Sequence, residues 1–213
     1  MPIDVVSGGT WIGINDAGLF FSLLNVNVCG VNEKLEERDA LTDFNPYGSR
    51  GIIIPPLLAC DSFHEINAII EKLKVKNYRP FRLVFIDSVS MNSGYLRWDG
   101  RDKEWNVLRW EGRPLFYTSS ELGDDCVFSP RVNLFNDFFK DFDFSERYEL
   151  MQNKFHSHFW KDKRDVSVNM ERDNALTVSR SIVEIFNSHI KFKHYMPPFS
   201  DNPFVREMDL NGS

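Results

Sequence analysis

Ser119 and Ser120 stand at the end of a strand-like run, where a hydroxyl can act as a nucleophile or hydrogen-bond to a ligand. No Gly-x-Ser-x-Gly elbow surrounds them, so ordinary turn chemistry competes for the same two residues. The opening Met1-Pro2 offers a second nucleophile in principle, because removal of the methionine would bare a secondary amine. Metal chemistry finds little support. His156 and His158 are two apart, which puts them on different sides of a helix, whereas a metal pair needs a spacing of four. His64, His189 and His194 are isolated. Cys29, Cys60 and Cys126 are odd in number and widely spaced, and read as reduced, buried thiols. Ser7-Gly8-Gly9-Thr10 leads into a strand rather than a helix, so no phosphate loop is expected. Glu36-Glu37 and Asp124-Asp125 read as solvated loop charge. Neither a metal nor a cofactor is expected.

These residues sit in a chain of 213 residues, long enough for one large domain with its own core. A hydrophobic content of 42% against 26% charged residues excludes wholesale disorder. The net charge of −6 argues against a general nucleic-acid or anionic-membrane surface. The one skew is aromatic: 19 phenylalanines imply a core or pocket lined with rings. The longest apolar runs, Gly51–Leu58 and Leu19–Leu24, fall short of the ~20 residues of a membrane helix. The first residues do not form a secretory signal, so the cytoplasm is the expected compartment.

A β-hairpin is expected over 10–14 and 19–25, with Gly18 taking a positive φ in its turn. Residues 31–47 read as a polar surface loop. Pro55-Pro56 starts a short helix. A firmer helix follows with Ser62 as N-cap and Glu65 completing a capping box, burying Ile66, Ile69, Ile70 and Leu73 and ending near Lys76-Asn77. Strands are expected at 81–87, 95–98, 104–110 and 114–118, as a meander. Ser129-Pro130 reads as the N-cap and first residue of a helix bearing Phe135 and Phe138, and a second helix runs over 145–158. A last strand pair occupies 175–186 and 190–195, before a polar tail expected to be mobile. Strands, then helices, then strands favour α+β over a doubly wound parallel sheet. The two glycines before Trp11, with Gly13 inside the strand, demand close backbone approach or a special turn, hence a site or a tight sheet corner.

Gly8-Gly9-Thr10-Trp11-Ile12-Gly13, then Asn25 after the next strand, resembles the Asn-Arg-Asp-Glu-type family related to transport and Golgi organization protein 2. The likeness continues through Ser49-Arg50-Gly51, Ser119-Ser120, Arg131 with Leu134-Phe135, and Met170 to Ser179. It implies the amino-terminal-nucleophile-hydrolase fold, a four-layer α/β/β/α sandwich with antiparallel sheets, and small amides as the substrate class. In relatives of that kind a free α-amine is the base, the adjacent thiol the nucleophile, and polar donors hold the oxyanion. On this resemblance Asn25 is an oxyanion or substrate donor and Arg172 orients an acyl or carboxylate group, with Trp11 and Ser119 as further pocket candidates. Family members open with a Met-Cys strand and an Asn-Arg-Asp-Glu motif upstream of the glycine pair, and this sequence has neither. The expectation is therefore one domain over 1–196, lacking its first strand and catalytically incompetent as it stands, followed by the tail at 197–213. The alternative is a non-catalytic carrier of a hydrophobic small molecule such as haem, acyl-CoA or lipid. No nucleic-acid partner is expected, and the sequence does not specify an oligomeric state.

Overall fold

The computed structural model describes residues 1–27, 47–140, 148–173, 175–186, 188–196 and 202–210. The expected first hairpin forms between β1 (Ile12–Ile14) and β2 (Leu19–Asn25), with Gly18 at φ 75° in its turn. Asn15 fixes this turn to its surroundings. Its side-chain oxygen accepts from Leu19 N at 2.9 Å, while its amide donates to the carbonyls of Leu58 and Cys60 at 3.1 and 2.7 Å. β3 (Phe81–Asp87), β4 (Asn92–Trp98) and β5 (Lys103–Arg109) complete an antiparallel sheet whose strands lie in chain order.

Alternation along these strands separates two faces. Phe21, Phe81, Leu83 and Leu96 are buried against Ile54 and Leu57 of α1 (Ile54–Leu57) and Ile66 and Ile70 of α2 (Phe63–Lys72). The opposite face meets a second antiparallel sheet, β6 (Arg180–Phe186), β7 (His189–Tyr195) and β8 (Phe204–Asp209), where Ile14 packs with Ile190 and Phe192. Two further helices, α3 (Asp124–Phe139) and α4 (Tyr148–His156), pack on each other. Glu149 of α4 reaches Lys193 at 2.6 Å and the Tyr195 hydroxyl at 3.2 Å, on the side of β7 opposite Ile190 and Phe192. The described residues thus form an α+β fold of two antiparallel sheets and four helices. No helix among them is long and apolar enough to cross a membrane.

The two glycine motifs meet. Thr10 N donates to Gly51 O at 3.0 Å, and a Cβ on Gly9 would lie 2.4 Å from the Gly51 carbonyl carbon. The glycine pair before Trp11 is therefore a tight corner, where the chain entering β1 crosses the segment entering α1.

Four expectations are corrected. Residues 114–118 form no strand: Thr118 and Ser119 are held by the Arg131 side chain instead of a neighbouring strand. α3 begins at Asp124 rather than at Ser129-Pro130. Gly123, at φ 103°, turns the chain there, and Asp124 and Asp125 favour the positive end of the helix dipole. Pro130 therefore lies inside α3. α2 ends at Lys72, because Leu73 turns extended and Val75–Asn77 forms a separate 3-10 turn with Val75 buried. Its cap is a displaced box, with Ser62 Oγ accepting from Glu65 N but the Glu65 carboxylate accepting from Asp61 N. Finally, the stretch read as a polar tail contains β8, tied to β7 by the Lys191–Glu207 ion pair at 2.8 Å. The last strand pair forms as expected, though β6 starts at Arg180 rather than Ala175. Most of the 31–47 loop, Cys29, Glu36-Glu37 and the start of the second helix at Ser145 lie outside the described residues.

Candidate functional site

Three of the singled-out segments converge on 118–120: the end of the first hairpin, α3 and the Arg172 region. Asn27, just beyond β2, donates from its side-chain amide to Ser119 Oγ at 3.1 Å, and its carbonyl accepts from Asp124 N at 3.1 Å. Asp124 in turn accepts from Ser120 N at 3.1 Å. Arg131 occupies the centre, 8% exposed. Its guanidinium donates to Thr118 Oγ1 and to the carbonyls of Ser119, Val166 and Ser167 at 2.8 to 3.2 Å. Arg172 completes the group, with one amine at 2.7 Å from Ser120 Oγ and 3.2 Å from the Asp165 carbonyl. Among the described residues its remaining partner is Glu121, at 3.8 Å.

The electrostatics are those of a partly dry site in which two guanidiniums lie near each other and two carboxylates, Asp124 and Glu121, flank them. Burial, and then the like charge of Arg172, lower the Arg131 pKa to about 10, so it remains charged at neutral pH. Burial raises the Asp124 carboxyl above its usual range, against the opposing pull of the Ser120 and Asn27 N–H groups. A carboxyl raised by folding contributes stability at acid pH that is lost as pH rises through its folded value. Asp124→Asn imitates the neutral form at every pH. Melting curves from pH 4 to pH 8 are expected to match wild type at the acid end and to exceed it at the neutral end. A variant less stable than wild type at pH 7 would contradict this account.

The donors set what the serines can do. The Asn27 amide nitrogen and the Arg172 guanidinium can only donate, so Ser119 and Ser120 accept from them and keep their own protons to donate. The cluster is equipped to hold a carbonyl, carboxylate or other oxygen acceptor. Beside it lies a concavity of about 480 Å³ lined by Arg164, Asp165, Glu171, Arg172 and Asp173, all charged.

Of the residues singled out from sequence, Ser119 and Arg172 are brought into this cluster. Asn25 is exposed at the end of β2 across from Phe81, and Asn27 makes the contact with Ser119 instead. Trp11 is 41% exposed and its ring lies 6.3 Å from that of His194. His194 Nδ1 lies 2.8 Å from Ser181 Oγ, a cross-strand hydroxyl–imidazole pair that the sequence did not suggest. Burial, then the Met1 amino group, lowers the pKa of this imidazole. Asp124, read as solvated charge, is half-buried and bonded; Asp125 is exposed. Cys60 is buried, as expected, and burial pushes its thiol up, whereas Cys126 is exposed. Among the described residues no group of histidines, cysteines and carboxylates could hold a metal ion.

No curated protein matches the chain significantly. A model of the family described as transport and Golgi organisation 2 matches residues 1–183. That span takes in the glycine crossing, the first sheet, the serine–arginine cluster and the first part of β6. The chain belongs to the transport and Golgi organisation 2 family.

Proposed function

We propose that this chain is an amino-terminal-nucleophile-hydrolase-like domain whose serine–arginine cluster binds the carbonyl of a small amide-type ligand without cleaving it. The sandwich reading is supported by the order of contacts: α1 and α2 on the first sheet, the second sheet on its other face, and α4 beyond β7. The pairing of β8 with β7 supports reading the chain as a single domain that extends past residue 196. The observation that carries the binding reading is the pairing of both serine hydroxyls with donor nitrogens, Nδ2 of Asn27 and the guanidinium of Arg172. The same pairing speaks against cleavage there, because an activated serine gives its proton to a base, and among the described residues neither hydroxyl has a base as its partner.

The hydrophobic-carrier alternative draws on the phenylalanines, and these are occupied with one another. Phe116, Phe135, Phe138, Phe139 and Phe155 meet ring to ring at 4.8 to 6.4 Å, with Phe155 buried and the other four half-buried around it, which favours mutual packing over an open pocket.

The test is melting of the purified protein with N-hexanoylglycinamide, alongside a product assay. A ligand at about a hundred times its Kd stabilises by ~2.7 kcal/mol, or a shift of about 5–10 °C for a chain of this size. A shift with no hexanoate released is expected. Release of hexanoate would make the domain a hydrolase, and absence of any shift at millimolar ligand would remove the site.

A further inference from the structure

Arg82 lies on β3, on the face turned away from Phe81 and Leu83, and pairs across to Leu24 and Arg97. Its guanidinium carbon sits 5.6 Å from the centre of the Tyr117 ring and 6.0 Å from that of Tyr95. The Tyr95 hydroxyl is itself held by Glu104 at 2.5 Å, which fixes one wall. Tyr117 precedes Ser119 by two residues, and the Arg82 charge is felt by Asp124, so this guanidinium borders the serine–arginine cluster.

Arg97, its neighbour on β4, is paired with Asp99 at 3.0 Å. Arg82 has no such partner: among the described residues none of its five N–H groups has a hydrogen-bond acceptor and no carboxylate is within ion-pairing distance. It is nevertheless half-buried. Contact with the edge-to-face tyrosine pair, whose ring centres are 6.0 Å apart, offsets part of the charge and leaves the N–H groups, in the planar fork that matches a carboxylate or phosphate, open to a ligand.

We propose that Arg82, set against the adjoining Tyr95 and Tyr117 rings, is the recognition group for an anionic oxygen group, carboxylate or phosphate, on the ligand of the neighbouring cluster. This rests on the binding reading above and adds the charge of the ligand to it. The ligand class becomes an acyl amide with an acidic end, such as an N-acyl amino acid or an N-acyl phosphoethanolamine.

Matched probes separate the two claims. N-hexanoylglycine and N-hexanoylglycinamide differ only in the charge of one end, and N-hexanoylphosphoethanolamine supplies the phosphate. By calorimetry the wild type is expected to bind one of the two anions about ten- to a hundredfold more tightly than the neutral amide, as a charge-assisted fork does. The stronger of the two identifies the source of the anion. In Arg82→Met that preference is expected to vanish while the neutral amide keeps its affinity. Arg82→Lys, which retains the charge without the fork, is expected to keep a preference of a few fold and guards against loss of folding in the methionine variant. Equal binding of anionic and neutral probes to wild type would overturn the role of Arg82 and leave the cluster standing. Failure of all three probes to bind would overturn both.

Discussion

Arg131→Met is expected to lower the melting temperature by about 6–20 °C. The guanidinium donates to one hydroxyl and three backbone carbonyls, and those partners come from the 118–119 segment and the 166–167 turn. The 118–119 segment has no strand ladder of its own, so Arg131 does the work a neighbouring strand would do. Methionine fills much of the volume but leaves buried oxygens without donors, at about 1–3 kcal/mol for each that finds no water. Partial rescue by solvent and relief from the nearby Arg172 charge bring the expected total to about 3–5 kcal/mol. Arg131→Lys restores one or two of the bonds and should fall between. A melting temperature within 2 °C of wild type for the methionine variant would show that 118–119 is held by something else.

Gly9→Ala is expected to cost about 3 kcal/mol or more, or roughly 6–12 °C in melting temperature. The added carbon would meet three backbone atoms of Gly51 at 2.4 to 2.8 Å, and backbone cannot rotate aside as a side chain can. Neighbouring glycines supply the controls. Gly51→Ala meets its nearest atom only at 3.1 Å, so a smaller loss is expected. Gly8→Ala meets nothing within 4 Å and loses about 1–2 kcal/mol through its φ of 69° alone. Denaturant melts of the three variants should rank Gly9 well above the other two. Equal losses would mean that the crossing relaxes freely and that the two glycine motifs are not coupled.

What was legible in the sequence was local. The first hairpin declares itself through Gly18 and alternation, β3 through an apolar run interrupted only by Arg82, and the α2 start through Ser62. What was not legible depends on residues far apart in the chain. Gly9 announces that something comes close, but only the fold shows that it is Gly51. Thr118 and Ser119 have strand-like composition, yet their hydrogen bonds go to an arginine on α3. Pro130 suggested a helix start because proline is favoured in a first turn, while the actual start depends on Gly123 and the acidic pair after it. The site was half legible. Ser119 and Arg172 were singled out and do converge, whereas Asn27 stands two residues beyond the asparagine the resemblance indicated. Asp124 in a loop-like acidic pair gives no sign in sequence of its partners Ser120 and Asn27.

The most direct test of the binding site is calorimetric titration of N-hexanoylglycinamide into wild type and Arg172→Met. Arg172 is the only one of the proposed groups whose charge lies beside both Ser120 and the charged concavity. Saturable binding to wild type is predicted, weakened about tenfold or more in the variant, whose free form melts lower through loss of its bonds to Ser120 and Asp165 but remains folded at the temperature of the titration. Equal affinity for the two proteins would place the ligand elsewhere and contradict the site.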